Sequence, residues 1–124
     1  YGNCDLSGGA GNYWSNSLTI SPLEQVRLLS GLLSNTWDFA SENIRAVKDA
    51  MLLSEHSVSG GRLYGKTGTS NPDGGTQSGW FVGFLETGET TYCFAVNLQG
   101  EGCDGSTAAD VALQSLTTIL SRTE

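Results

Sequence analysis

The apolar residues of this chain change their period along the sequence, and that change limits the fold class. They recur at helical spacing up to about residue 53, alternate along short β-rich runs after Gly60-Gly61, and return to helical spacing after residue 107. Leu23, Val26, Leu29, Leu32 and Leu33 make the first helical set, opened by Ser21-Pro22-Leu23-Glu24. That tetrapeptide is a capping box: Ser21 caps, Pro22 suits the first helical position, and Glu24 reaches back to the cap amide. Gly31 weakens the stripe, which ends near Ser34-Asn35. Ser41 reads as a second cap, followed by Ile44, Val47, Met51 and Leu52 at helical spacing to about Leu53.

Residues 62–69, 78–86 and 90–98 read as strands. Thr87-Gly88-Glu89 signals a hairpin between the last two, and the Pro- and Gly-containing segment from Ser70 to Gly75 predicts a longer loop between the first two. Thr107 and Asp110 repeat the cap-and-acid pattern before Val111, Leu113, Leu116, Ile119 and Leu120, an apolar set suited to a helix lying on the sheet. The expectation is an α+β unit: two helices, a three-stranded antiparallel meander and a C-terminal helix. The opening stretch to Ser17 is rich in Gly, Ser and Asn and contains Tyr13-Trp14, which predicts an irregular loop pinned by aromatic burial.

With 124 residues, 38% of them hydrophobic and 15% charged, the chain is one globular unit or part of a larger one rather than a disordered tail. Three Trp, four Tyr and four Phe are a large aromatic load for this length, so some are expected to face a partner segment outside the chain. A formal net charge of −7, with the six basic residues scattered, argues against nucleic acid and anionic membrane surfaces as partners, since both need clustered cations. No apolar run approaches the roughly 20 residues that span a bilayer, and Tyr1-Gly2-Asn3 lacks the layout of a secretion signal. Direct membrane insertion by this chain is therefore not expected, and an export signal or anchor would lie elsewhere.

Cys4, Cys93 and Cys103 have no metal-ligand spacing, and His56, in a polar stretch, reads as a solvated loop residue. Neither a metal nor another cofactor is implied. A Cys4–Cys103 disulfide is compatible with an extracellular chain, but sequence does not supply the geometry of a bridge.

The chemistry concentrates at Lys66-Thr67-Gly68-Thr69, near the end of the first β-run. On an edge strand Lys66 presents an ammonium, Thr67 and Thr69 present hydroxyls, and Gly68 lets a ligand backbone approach, which suits a small carboxylate-bearing ligand. Strand alternation puts Lys66 and Gly68 on one face and Thr67 and Thr69 on the other. Taken alone, the motif reads rather as an ordinary polar edge strand with a turn.

It is accompanied, in order, by Tyr1-Gly2-Asn3, Ser7-Gly8-Gly9, Tyr13-Trp14, the segment from Ile20 to Val26, Leu63-Tyr64-Gly65 directly before the lysine, the segment from Gly79 to Phe84, and the segment from Phe94 to Leu98. This series resembles class D β-lactamases and the penicillin-binding sensor domains of the BlaR/MecR kind, over nearly the whole chain. The resemblance implies a serine β-lactamase or penicillin-binding-protein-like fold of which residues 1–124 form the C-terminal part. It implies acylation by a β-lactam of a serine in a Ser-x-x-Lys motif, whose lysine, often carboxylated, acts as general base. No Ser-x-x-Lys occurs here: Arg45 stands three places before Lys48, and Leu63 three places before Lys66.

By the same resemblance, Lys66 supplies positive potential for the ligand carboxylate and the serine, and Thr67 the hydroxyl that binds the carboxylate. The backbone N–H of Thr69 matches the one that completes the oxyanion hole with the nucleophile's own amide. Trp80 reads as a residue flanking the cleft beside Gly68, with core packing the safer reading. Trp14 matches a tryptophan that steadies the carboxylated lysine, although a core aromatic is an equal reading. An arginine that many class D enzymes carry after the last strand is missing between Gln99 and Asp110.

The implied partners are a β-lactam or peptidoglycan-stem-like ligand and the upstream half of the same domain, at the extracellular face of the bacterial cytoplasmic membrane or secreted. A hydrolase and an antibiotic sensor share these residues, the sensor being the one that stays acylated. The Gly/Asn-rich opening loop and the missing arginine favour the sensor. The third reading is a non-catalytic fragment that folds alone or self-associates through an exposed sheet edge.

Overall fold

The computed structural model describes residues 1–9, 17–71, 76–88 and 90–122. Tyr13 and Trp14, and with them the aromatic pin expected of the opening loop, lie outside the described residues. The elements run α1 (Pro22–Leu33), α2 (Ser41–Met51), β1 (Leu52–Val58), β2 (Gly61–Ser70), β3 (Ser78–Thr87), β4 (Thr90–Gln99) and α3 (Gly105–Leu120), and the four strands form one antiparallel sheet in sequence order. The α+β class and the meander are as expected, with one strand more.

That strand, β1, occupies the stretch read as the end of a helix and a polar loop, so His56 is an exposed strand residue. Ser59 and Gly60 both adopt positive φ, 48° and 71°, which closes a two-residue hairpin between Val58 and Gly61. The helix expected to run to about Leu53 stops at Met51 because Leu52 is already extended, at φ −64° and ψ 125°, and faces Tyr64 across the sheet.

The capping box forms as expected. The Ser21 hydroxyl accepts the Glu24 N–H at 3.2 Å, and the Glu24 carboxylate accepts the Ser21 N–H at 2.9 Å. Gly31, a weakness in propensity terms, is where Trp37 crosses the helix: a Cβ there would lie 2.6 Å from the indole. Two other expected caps are displaced. Ser41 is the first residue of α2, whose cap Ala40 makes no side-chain bond, and α3 is capped by Asp104, not Thr107. The Asp104 carboxylate accepts the Thr107 N–H at 2.8 Å and its hydroxyl at 3.0 Å, so Thr107 is the partner of the cap.

The core lies between the sheet and α3. Leu63, Phe81 and Leu85 project from one sheet face onto Ala108, Ala112, Leu116 and Leu120, an i, i+4 stripe. This corrects the expected apolar set, in which Val111 and Ile119 stood for the buried face; both are exposed. The alanines, outside that set, are what lets the first half of α3 approach Phe81. The three cysteines are free, so no Cys4–Cys103 bridge forms.

On the opposite sheet face, Tyr64 stacks on Phe84 with ring centroids 4.4 Å apart. Lys48 of α2 lies over both rings, 5.4 and 5.7 Å from their centroids, and pairs with Glu86 at 2.5 Å. The hydrogen bond from Lys48 holds the Glu86 carboxyl below its ordinary 4.5, helped by Tyr64 and opposed by burial. Burial pushes the Tyr64 phenol up, and the Glu86 hydrogen bond adds to this. α2 has no buried residue of its own, and this ion pair ties it to the sheet.

Two outcomes follow. Leu85→Ala is expected to destabilise the fold by about 2–5 kcal/mol in urea unfolding, through the cavity it leaves. Glu86 has a lowered folded pKa, so its contribution is complete above its unfolded value and is lost as pH falls through the folded value. Unfolding midpoints measured between about pH 6 and pH 3 should therefore drop less steeply in Glu86→Gln than in the parent chain.

Candidate functional site

The register of β2, β3 and β4 fixes what the exposed part of the sheet displays. Lys66 stands opposite Val82 and Ala95, Gly68 opposite Trp80 and Asn97, and Ser70 opposite Ser78 and Gln99. These three rows share one face, and they floor a cleft of about 530 Å³. The far wall comes from the N-terminal segment: Tyr1, Leu18, Thr19 and Ile20, with Gln25 of α1. Lys66, Thr67, Gly68, Thr69 and Trp80, the residues singled out in the sequence, all border this cleft. Trp14 lies outside the described residues.

Asn3 builds the far wall. Its backbone N–H donates to the Thr19 carbonyl at 2.9 Å, its side-chain amide donates to the Ser17 carbonyl at 2.8 Å, and its Oδ1 accepts the Thr19 N–H at 2.9 Å. Gly2, at φ 53°, lies so close to this segment that a Cβ would sit 1.9 Å from the Thr19 oxygen. Gln25 then donates to the Tyr1 hydroxyl at 2.6 Å, tying the wall to α1. The Tyr-Gly-Asn triplet is thus a clasp: its asparagine and glycine hold the wall, and its tyrosine faces the cleft.

Lys66 is exposed, and its ammonium donates to the Thr67 carbonyl at 2.5 Å, leaving donors free for an incoming anion. Thr67 and Thr69 take the opposite parity. Thr67 remains exposed at the cleft border, whereas the Thr69 hydroxyl accepts the N–H of Gly105 at 2.9 Å behind the strand. The outer edge of β2 has β1 partners only as far as Tyr64, so among the described residues the Lys66–Ser70 edge has no neighbouring strand.

Ser78, Asn97 and Gln99 are cleft residues that the sequence did not single out. The Asn97 amide donates to the Ser78 hydroxyl at 2.8 Å and the Gly79 carbonyl at 3.3 Å, and Gln99 donates to Asn97 Oδ1 at 3.1 Å. The parity of β4 carried the signal, since Asn97 and Gln99 alternate with the apolar Val96 and Leu98. No group of three or more His, Cys, Asp or Glu comes together among the described residues. A cation on an open strand edge, glycine beside it and a polar floor can receive a small anionic ligand lying along β2.

Residues 2–117 match the penicillin binding protein transpeptidase domain. The chain belongs to this family. Among curated members, the regulatory protein BlaR1 of Bacillus licheniformis is 48% identical over 118 residues, which cover 94% of this chain and 19% of that protein. The solved C-terminal domain of the Bacillus licheniformis BlaR penicillin-receptor superposes with a TM-score of 0.77 at 46% identity, over 86% of this chain and 43% of that one. A class D β-lactamase from Bacillus subtilis gives a TM-score of 0.79 at 39% identity, over 95% and 47%. The transpeptidase-family chain described here therefore spans less than half the length of these solved relatives. Among the described residues, no helix is long and apolar enough to cross a membrane.

The amide of Asn97 bridges β3 and β4 under the cleft. Asn97→Ala is expected to lower stability by about 1 kcal/mol, read by urea unfolding, by removing the hydrogen bonds to Ser78 and Gly79.

Proposed function

We propose that this chain is the C-terminal part of a penicillin-binding domain that is acylated by β-lactams on a serine outside residues 1–124, in a sensor of the BlaR kind or a class D hydrolase. The observation that carries the reading is the placement of Lys66, and of Gly68 facing Trp80, in adjacent rows of one cleft beside a strand edge that has no neighbouring strand among the described residues. An extended ligand with a carboxylate fits there: Lys66 attracts the charge, Thr67 donates a hydroxyl hydrogen bond, and the edge offers backbone partners. In the reaction the serine oxygen adds to the lactam carbonyl, the ring C–N bond breaks, and the ring nitrogen takes the proton. The backbone N–H of Thr69 is the oxyanion donor this chain supplies, and Lys66 favours the charge that develops.

With no arginine between Gln99 and Asp110, the chain relies on Lys66 and Thr67 for the carboxylate. The identity to BlaR1 and the missing arginine favour the sensor, in which the acyl state persists. Such a domain works on the outer side of the cytoplasmic membrane, where its ligands are. Trp14 would support the carboxylated general-base lysine carried by the upstream half of the domain.

Intact-protein mass spectrometry after incubation with benzylpenicillin tests this reading, on the chain alone and on a form extended upstream through its Ser-x-x-Lys segment. The expected result is a stable adduct on the extended form only, with Lys66→Ala slowing its formation by about 10²-fold or more. Turnover of penicillin without a lasting adduct would assign the hydrolase. An adduct on the short chain would place the nucleophile within it, and neither adduct nor turnover on the extended form would refute penicillin recognition.

A further inference from the structure

The back of the Lys66–Thr69 segment carries a contact that ligand binding does not explain. Thr69 Oγ1 accepts the N–H of Gly105, the first residue of α3, across 36 positions of sequence. Beside this bond, two glycines let the backbones approach, Gly79 on β3 and Gly105 on the helix. A Cβ on Gly105 would lie 2.8 Å from the Thr67 Cβ and 3.1 Å from the Gly68 nitrogen and oxygen. A Cβ on Gly79, which faces Thr69 across the sheet, would lie 2.0 Å from the Asp104 carbonyl oxygen. Asp104 in turn fixes the helix end through Thr107. Gly68 therefore has the cleft on one side and the start of α3 on the other.

We propose that Thr69 is a positioning residue whose hydroxyl, latched to the Gly105 amide, sets the backbone of Lys66 to Thr69 at the level the acyl-transfer step requires. The inference deepens the functional reading above and rests on it. The Thr69 hydroxyl bonds behind the strand, and the N–H of Thr69 and the ammonium of Lys66 are the groups that the latch holds toward the ligand. A displacement of about 1 Å in such groups slows a reaction by orders of magnitude while leaving the fold intact. Valine keeps the shape of Thr69 and loses the acceptor, and serine keeps the acceptor.

Thr69→Val and Thr69→Ser would be compared with the parent chain in two measurements. Amide hydrogen exchange on the present chain should accelerate about tenfold at Gly105 and from Lys66 to Ser70 in Thr69→Val, with the amides from Ala112 to Leu120 still protected. The rate of acylation by benzylpenicillin in the upstream-extended form should fall about tenfold or more in Thr69→Val, with less change in the concentration that half-saturates the rate. Thr69→Ser should restore both. Unchanged exchange in Thr69→Val overturns the latch, and faster exchange with an unchanged acylation rate overturns its role in positioning. An unreactive parent in the extended form refutes the functional reading and the role of Thr69 in chemistry with it, a result distinct from the others because the parent itself fails.

Discussion

The close approach of α3 to the sheet is the constraint on which the remaining architecture depends. A helix packs at this distance only if the facing positions are small, and here they are small at one end: Gly105, Ala108 and Ala112 on the helix, and Gly79 on β3. At the other end Leu116 and Leu120 meet Leu63 and Leu85. The same packing that builds the core thus presses directly behind the segment that faces the cleft.

The opposite face of the sheet is organised differently. Its turn end is closed by the Tyr64–Phe84 stack and the Lys48–Glu86 pair, while its loop end stays open over Trp80 and Asn97. Trp37 and Phe39, 6.0 Å apart, are about half exposed in the connection between α1 and α2. An aromatic surplus of this kind suits a chain that spans less than half of the solved family members it resembles.

Local chemistry made much of this legible in advance. The capping box at Ser21, the parity of Lys66 against Thr69 and the hairpin near Gly88 depend on neighbours a few residues apart, so the sequence exposes them directly. What escaped depends on distant partners. β1 hides because Leu52 continues a helical spacing and becomes strand only by pairing with Tyr64. The buried stripe of α3 hides because Ala108 and Ala112 are apolar without looking like core until Phe81 is placed against them. The cleft floor hides for the same reason: Asn97 is a polar residue in a strand until the register sets it beside Trp80 and Gly68.

The sheet also keeps its two ends far apart. From Gly61 to Ser70 is roughly 30 Å of extended strand, with the two-residue turn at Ser59 and Gly60 beyond one end and the cleft at the other. That turn is solvent-facing, and nothing lies within 4 Å of where a Gly60 side chain would begin. It is a natural place for a reporter group or surface tether: a probe attached at Ser59 would move with the rigid sheet, clear of any ligand, and leave the cleft facing freely into solution.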